Sequence, residues 1–264
     1  MSYPTLLGIR FDAVTRPEAT ERFVALAKRA REEGLPAQMA VTVNVQILVN
    51  TRHRHPALRP IINNAPLVVA DGAPLVLLSR LFPPKLPERV AGSDLIYDIA
   101  AAASREGLRL YFLGGTEEST VQAMEVLLRL NPELQIAGHA CPMVAMSPTD
   151  GDLKAEEEIC RQIQEAHTDI LLVGFGNPKQ ELFVHRNAAR LQGMAAIGLG
   201  GTFNFLSGRV RRAPRWVQRI GMEWLYRIIQ EPQRLFLRYF IDAFFLAGYA
   251  LAEPFRRLRN NKSP

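Results

Sequence analysis

Apolar positions along this chain fall into two alternating kinds of segment. Short apolar runs recur at Leu6–Ile9, Ala40–Val45, Leu67–Ala70, Arg109–Leu113, Gln135–Gly138, Asp169–Val173 and Ala195–Leu199. Between them lie amphipathic patterns of helical period at 17–33, 93–106, 117–130, 152–166 and 178–192. The runs predict strands and the periodic stretches predict helices. Strands without clean alternation, each followed by a helix, are what a parallel sheet buried on both faces looks like. The expected fold is α/β: a Rossmann-like, mostly parallel sheet flanked by helices, in one catalytic domain over residues 1–208.

That rhythm stops in the last fifth of the chain. Pro214 suits the first turn of a helix running to about Ile229; Pro232 starts or kinks the next, and Pro254 ends it. Phe240–Ala252 is strongly apolar, yet its 13 residues fall short of the roughly 20 that cross a bilayer as a helix. Residues 209–264 also hold 12 Lys+Arg against 4 Asp+Glu, whereas residues 1–208 hold 20 against 22. The whole excess of positive charge is therefore local, which points to an anionic partner. A basic amphipathic helical appendage lying on anionic lipid is one reading of 209–264. Packing of its apolar stripe on the α/β domain, or on a second copy, is the other, and the pattern leaves both open.

Composition narrows the class further. Of 264 residues, 48% are hydrophobic, enough for a sizeable core. Only Cys141 and Cys160 are present, which excludes a disulfide framework and a Cys-rich zinc site. The opening MSYPTLLGIRFD lacks a charged-then-apolar leader, so the expected location is cytoplasmic.

Polar and glycine residues gather where the predicted strands end: Thr42–Asn44, Asp71–Gly72, Gly114–Thr116, Gly174–Lys179 and Gly200–Thr202. Ligands of open α/β sheets bind outside the carboxyl ends of the strands, so five such clusters point to one crevice. Gly114 and Gly115 before Thr116 form a turn that suits a phosphate or nucleotide, because glycine admits close backbone approach and a helix start offers N–H donors. A tight turn with Thr116 as helix cap is the plain alternative. In Gly174–Glu181, Asn177 reads as an N-cap, Pro178 as the first helical residue and Gln180 as the capping-box partner. Lys179 and Gln180 are also placed to hold a substrate hydroxyl or phosphate. Asp71, closing an apolar run, is placed to act as a general base, against the plain reading of an Asp-Gly turn.

Metal chemistry finds little support. Asp150-Gly-Asp152 has the Asp-x-Asp form, but it follows Ser147-Pro-Thr149 ahead of a helix, where turn and cap chemistry explains both carboxylates. His53 and His55 lie in a basic stretch without neighbouring Cys, Asp or Glu, and read as a surface helix end. Arg227, Arg234 and Arg238 are spaced by 7 and 11 residues, within about 20° of one azimuth on a continuous helix. Such a stripe would clamp a diphosphate; otherwise it is the wet face of a surface helix pair.

In combination these motifs resemble a known family. Thr42-Val-Asn44, Ala70-Asp-Gly72, Glu88-Arg-Val-Ala-Gly-Ser-Asp94, Phe112-Leu-Gly-Gly115, Gly176-Asn-Pro-Lys-Gln-Glu181, Gly200-Gly-Thr-Phe-Asn204, Arg212-Ala-Pro214 and Glu223-Trp-Leu-Tyr-Arg227 with Glu231-Pro232 occur in the order of the WecG/TagA/CpsF family, glycosyltransferase family 26. The resemblance runs from about residue 5 to 240. It implies an inverting transferase, independent of metal and of any cofactor, that moves a sugar from a UDP-sugar to a polyprenyl-diphosphate-linked sugar in cell-surface polysaccharide synthesis. It would work peripherally on the inner face of the cell membrane, without nucleic acid. The resemblance makes Asp71 the base, with Thr42 beside it in the catalytic set. It places substrate contacts at Asn44, Arg89 and Gln180. A nucleotide contact falls at Asn204, where many members have Asp. The family's C-terminal arginines over the donor diphosphate correspond to Arg227 and Arg234, and the helical spacing adds Arg238.

Two other readings stay in play on the residues alone. One is a non-enzymatic protein that binds a membrane surface or nucleic acid through its basic tail; the other is a different sugar-nucleotide enzyme. The sugar, the polysaccharide and the oligomeric state are not specified by any residue.

Overall fold

The computed structural model describes residues 4–81, 85–214, 217, 222–230, 232–233, 236–237, 240–241 and 243–250. Its centre is a six-stranded sheet built from β3 (Gln38–Val43), β4 (Leu67–Ala70), β5 (Arg109–Gly114), β6 (Gln135–Ala140), β7 (Ile170–Gly174) and β8 (Ala195–Gly198). The strands lie in the order β4-β3-β8-β7-β5-β6, and every pairing is parallel. The α/β expectation is met.

Alternation along each strand sends side chains into two separate cores. Val41, Val43, Val68, Ala70, Leu113, Leu171, Val173 and Ala196 feed one face, which α2 (Val45–Val49), α3 (Leu58–Asn63), α4 (Ala73–Ser79), α7 (Asp150–Glu165) and α8 (Lys179–Asn187) help to close. Ala40, Leu67, Val69, Leu110, Phe112, Ile170, Leu172 and Ile197 feed the other, under α1 (Arg16–Glu33), α5 (Gly92–Glu106), α6 (Glu117–Leu130) and α9 (Thr202–Leu206). Both faces are therefore covered, as the unbroken apolar runs require.

Local chemistry sets the helix ends. Thr15, Thr116 and Thr149 each cap a helix through a reciprocal box, with Glu18, Ser119 and Asp152 as third-position partners. Gly34 and Gly107 end α1 and α5 in the left-handed conformation.

Several elements differ from expectation. Leu6–Ile9 is not a sheet strand but the middle of a small antiparallel hairpin, β1 (Thr5–Leu6) with β2 (Ile9–Arg10), turned by Leu7 and Gly8 at positive φ. The run expected at Ala40–Val45 starts earlier and stops at Val43, because Asn44 caps α2 by accepting from the Ile47 N–H at 3.1 Å. Helices α2, α3 and α4 were not expected, whereas the π-helical turn Asn50–Arg54, which ends at His55 with His53 exposed, agrees with the reading of a surface helix end. Those helices are too short for a helical period to show, and α2 and α4 are dominated by apolar side chains. The helix expected to reach residue 192 ends at Asn187.

Beyond residue 208 the described residues are helical at Val217, at α10 (Glu223–Gln230), at 232–233, 236–237 and 240–241, and at 243–250. One continuous helix from Pro214 to Ile229 is not formed. Met222 is not helical, its N–H bonds the Val217 carbonyl at 3.0 Å, and α10 starts afresh at Glu223. Tyr249 is buried against the first core, and its hydroxyl accepts the Leu7 N–H at 3.1 Å. Phe236, Leu237, Phe240 and Phe244 are each more than 60% exposed, so both readings of the apolar stripe keep support. Among the described residues no helix is long and apolar enough to cross a membrane.

Candidate active site

Because all six strands run the same way, their carboxyl ends share one edge. Val43 pairs with Ala70, Gly114 with Gly174 and Val173 with Gly198, so the loops that follow leave the sheet side by side. Four of the five predicted clusters, those after β3, β4, β5 and β7, follow directly from these paired ends, and Gly200–Thr202 follows β8.

Asp71 is the first residue past β4. Its N–H bonds the Val43 carbonyl at 2.8 Å, which carries the sheet pattern one step further and fixes the carboxylate at the edge. Burial pushes this carboxyl up to about 6; the charge of Glu223 adds to the rise, while Arg89, the Gly92 N–H and Arg227 oppose it. A carboxylate with that affinity is ionised at neutral pH yet accepts a proton more readily than an ordinary aspartate. Thr42 lies next door: a Cβ on Gly92 would sit 3.3 Å from its hydroxyl oxygen, and that hydroxyl donates to the Gly198 carbonyl at 3.1 Å.

Around Asp71 stands a group of charges from distant parts of the sequence. Arg89 donates to Glu223 at 2.6 Å and to Asp94 at 3.3 Å. Arg212 grips Asp94 with both terminal nitrogens, at 2.6 and 2.8 Å, and approaches Glu223 at 3.4 Å. Burial disfavours the Asp94 anion, but the Arg212 hydrogen bonds and the charges of Arg212, Arg89 and Arg16 outweigh it and hold this carboxyl below the usual range. Arg227 lays its guanidinium 4.9 Å from the centre of the Phe205 ring, and its buried Nε has no hydrogen-bond partner among the described residues.

The structure thus brings Thr42, Asp71, Arg89 and Arg227 to one place. Asn44 spends its side-chain oxygen on the cap of α2. Asn204 is half-buried in α9, on the edge where β8 ends. Arg234 and Arg238 lie outside the described residues.

Gly114 and Gly115 take positive φ values of 96° and 80°, which only glycine adopts freely. Side chains there would collide with Phe175 at 2.7 Å and with the Thr120 hydroxyl at 2.7 Å. The turn is shaped at least as much by packing within the protein as by room for a ligand, and Thr116 caps α6 as the plain reading expects.

The loop after β7 departs most from the sequence reading. The Asn177–Pro178 bond is cis, and Pro178 rather than Asn177 occupies the cap position of α8. Asn177 instead donates to Glu181 at 2.9 Å and accepts from Asn50 at 2.6 Å. Gln180 is not a capping-box partner. Its oxygen accepts from the N–H groups of Gly176 at 3.2 Å and Gly200 at 3.0 Å, and its nitrogen donates to Glu181 at 2.9 Å. Gln180 therefore ties together the loops after β7 and β8. Among the described residues no cation pairs with Glu181: burial pushes its carboxyl up, partly offset by Gln180, its own N–H and Asn177.

Asp152 accepts from the Thr149 N–H and hydroxyl, both at 2.8 Å, and Asp150 lies in the same first turn of α7. Among the described residues no cluster of three or more His, Cys, Asp or Glu is arranged to hold a metal ion.

Sequence reasoning missed Asp94, Arg212 and Glu223 as members of the site, and Asn50 and Glu181 as its support. Asp94, Arg212 and Glu223 stand in the quoted motifs, but nothing local shows that charges more than 100 residues apart in sequence will pair.

The family model described as "Glycosyl transferase WecG/TagA/CpsF family" matches residues 4–260. A protein of Bacillus spizizenii named N-acetylglucosaminyldiphosphoundecaprenol N-acetyl-beta-D-mannosaminyltransferase is 30% identical over 194 residues, 74% of this chain and 72% of that protein. A protein of the same name from Bacillus subtilis is 30% identical over 174 residues, 66% of this chain and 64% of its own length.

Proposed function

Because this chain belongs to the WecG/TagA/CpsF family of glycosyl transferases, we propose that it moves a hexosyl or N-acetylhexosaminyl group from a UDP-sugar to a polyprenyl-diphosphate-linked sugar. The chain is a glycosyltransferase; the substrates, the inversion and the independence of metal are our reading. The names of its relatives favour an N-acetylmannosaminyl donor and an N-acetylglucosaminyl-diphosphoundecaprenol acceptor.

The single observation that carries the mechanism is Asp71, half-buried at the carboxyl edge with its affinity raised to about 6. Its carboxylate takes the proton of the acceptor hydroxyl as that oxygen bonds the anomeric carbon. The bond from that carbon to the diphosphate breaks on the opposite face, and its electron pair leaves with UDP. Attack opposite to departure inverts the configuration. Arg227, whose buried Nε has no hydrogen-bond partner among the described residues, and Arg89 are the cations that meet the charge growing on the leaving diphosphate. Thr42, Asn44, Gln180, Asn204 and the Gly114–Gly115 turn complete the proposed contact set. Gln180 acts chiefly by holding the Gly176 and Gly200 loops in place.

The tail from residue 209 contributes to the site and, in this proposal, to contact with the inner face of the membrane, where the lipid-linked acceptor resides. Exposed Phe236, Leu237, Phe240 and Phe244, within a segment rich in arginine, suit an anionic bilayer surface.

The test is transfer itself. UDP-N-acetylmannosamine and a short-chain polyprenyl-diphosphate N-acetylglucosamine, mixed with the protein in EDTA, should give a disaccharide lipid with inverted anomeric configuration by NMR. A retained configuration, or activity that EDTA abolishes, would refute the mechanism.

A further inference from the structure

Glu223 is the one acidic residue that α10 brings to the cleft edge, and both of its oxygens are engaged there. One accepts from Arg89 at 2.6 Å and the other meets Arg212 at 3.4 Å. We propose that Glu223 is a positioning residue that holds Arg89 away from Asp71, so that Asp71 keeps its strength as a base. The inference rests on the reading of Asp71 as the base.

The geometry supports this in three steps. Arg89 leaves the chain 18 positions after Asp71, at the loop that feeds α5, and its charge acts on Asp71. Left without another anion, a half-buried guanidinium beside a half-buried carboxylate would form an ion pair with it, and an ion-paired carboxylate is a weak base. In the structure Arg89 forms its ion pairs with Glu223 and Asp94 instead.

Asp94 is not enough on its own. It is held in a two-pronged grip by Arg212, so its contact with Arg89 is the longer one at 3.3 Å. Glu223 supplies the short contact, and its side chain is only 15% exposed, so solvent screens the pair weakly. Glu223 arrives from a segment 134 residues further along the chain than Arg89. The strength of the base thereby depends on one carboxylate that α10 supplies. Loss of the Glu223 charge alone releases Arg89 toward Asp71 and removes a negative charge from its surroundings. Both changes weaken the base in the same direction.

Among the described residues, the charged and polar groups that act on Asp71 are Arg89, Glu223, Arg227 and the Gly92 N–H. Of these, only Glu223 favours the protonated form, so its neutralisation has an unambiguous sign. The carboxyl carbon of Asp71 in the full-length protein should be followed by 13C NMR against pH, with Asp71→Asn used to assign its signal. The wild-type midpoint should fall near 6, and in Glu223→Gln it should fall lower by about one unit. Glu223→Ser, a second neutral variant, should shift it in the same direction, and Glu223→Asp, which keeps the charge, should shift it less. The acid limb of kcat should move with the midpoint, since a purely structural role for Glu223 would lower stability and leave the limb in place. An Asp71 midpoint equal in wild type and in the folded neutral variants would overturn the proposal. Retained turnover in Asp71→Asn would instead refute the base, and the titration would still report on Glu223.

Discussion

Gln180 fills the space that any side chain at Gly198 would need. Gly198 ends β8, and Gln180 reaches across it to accept from the Gly176 and Gly200 N–H groups. The absence of a side chain at one strand end is what lets the next loop be tied down. Gly198→Ala should therefore cost about 1–3 kcal/mol of stability, the usual penalty for overpacking. It should also lower kcat by more than it raises KM for the donor. Thermal unfolding and steady-state kinetics check both.

Asp71 exacts a cost in stability for its function. An unfolded aspartate titrates near 3.9, and Asp71 in the folded protein near 6. The folded state thus binds this proton more tightly, so the advantage is full below about pH 4 and is lost as pH rises through 6. Above that, the ionised carboxylate destabilises the fold by about 2–3 kcal/mol. Asp71→Asn should be more stable than wild type at pH 8 by roughly that amount, and near equal at pH 4. Urea unfolding at the two pH values decides it.

Tyr249 joins the tail to the front of the chain through the Leu7 N–H. Removing its hydroxyl leaves a buried donor without this partner, at a cost of about 1–2 kcal/mol. Tyr249→Phe should lower the unfolding midpoint and speed proteolytic release of the segment beyond residue 230. Unchanged protection would mean that this contact does not secure the tail.

Asp152 is a helix cap. Asp152→Asn should weaken the box with Thr149 by about 0.5–1 kcal/mol and leave transferase activity unchanged, with or without EDTA. A loss of activity restored by added divalent cation would reopen Asp150 and Asp152 as a metal site.

The sheet was legible because strands buried on both faces leave unbroken apolar runs, and Leu67–Ala70 and the helix at 117–130 appear where the pattern puts them. Residues α2, α3 and α4 contribute were not legible, since five to seven residues carry too little of a helical period. The capping sequence Asn177-Pro178-Lys-Gln180 misled for a related reason. Propensity describes an isolated helix start, whereas Asn177 is held by Asn50 and Glu181, and Gln180 by two backbone N–H groups. Asp71 could be singled out from its place after an apolar run. Its raised affinity could not, because it depends on Arg89, Glu223 and Arg227 arriving from elsewhere in the chain.

The central claim is that Asp71 removes the acceptor proton. It is tested most directly by single-turnover transfer with saturating UDP-N-acetylmannosamine and lipid-linked N-acetylglucosamine, comparing wild type with Asp71→Asn. The account predicts that the asparagine protein binds the donor as well as wild type, transfers at least about 100-fold more slowly, and loses the acid limb near pH 6. Transfer within a few-fold of wild type, with the limb intact, would contradict it.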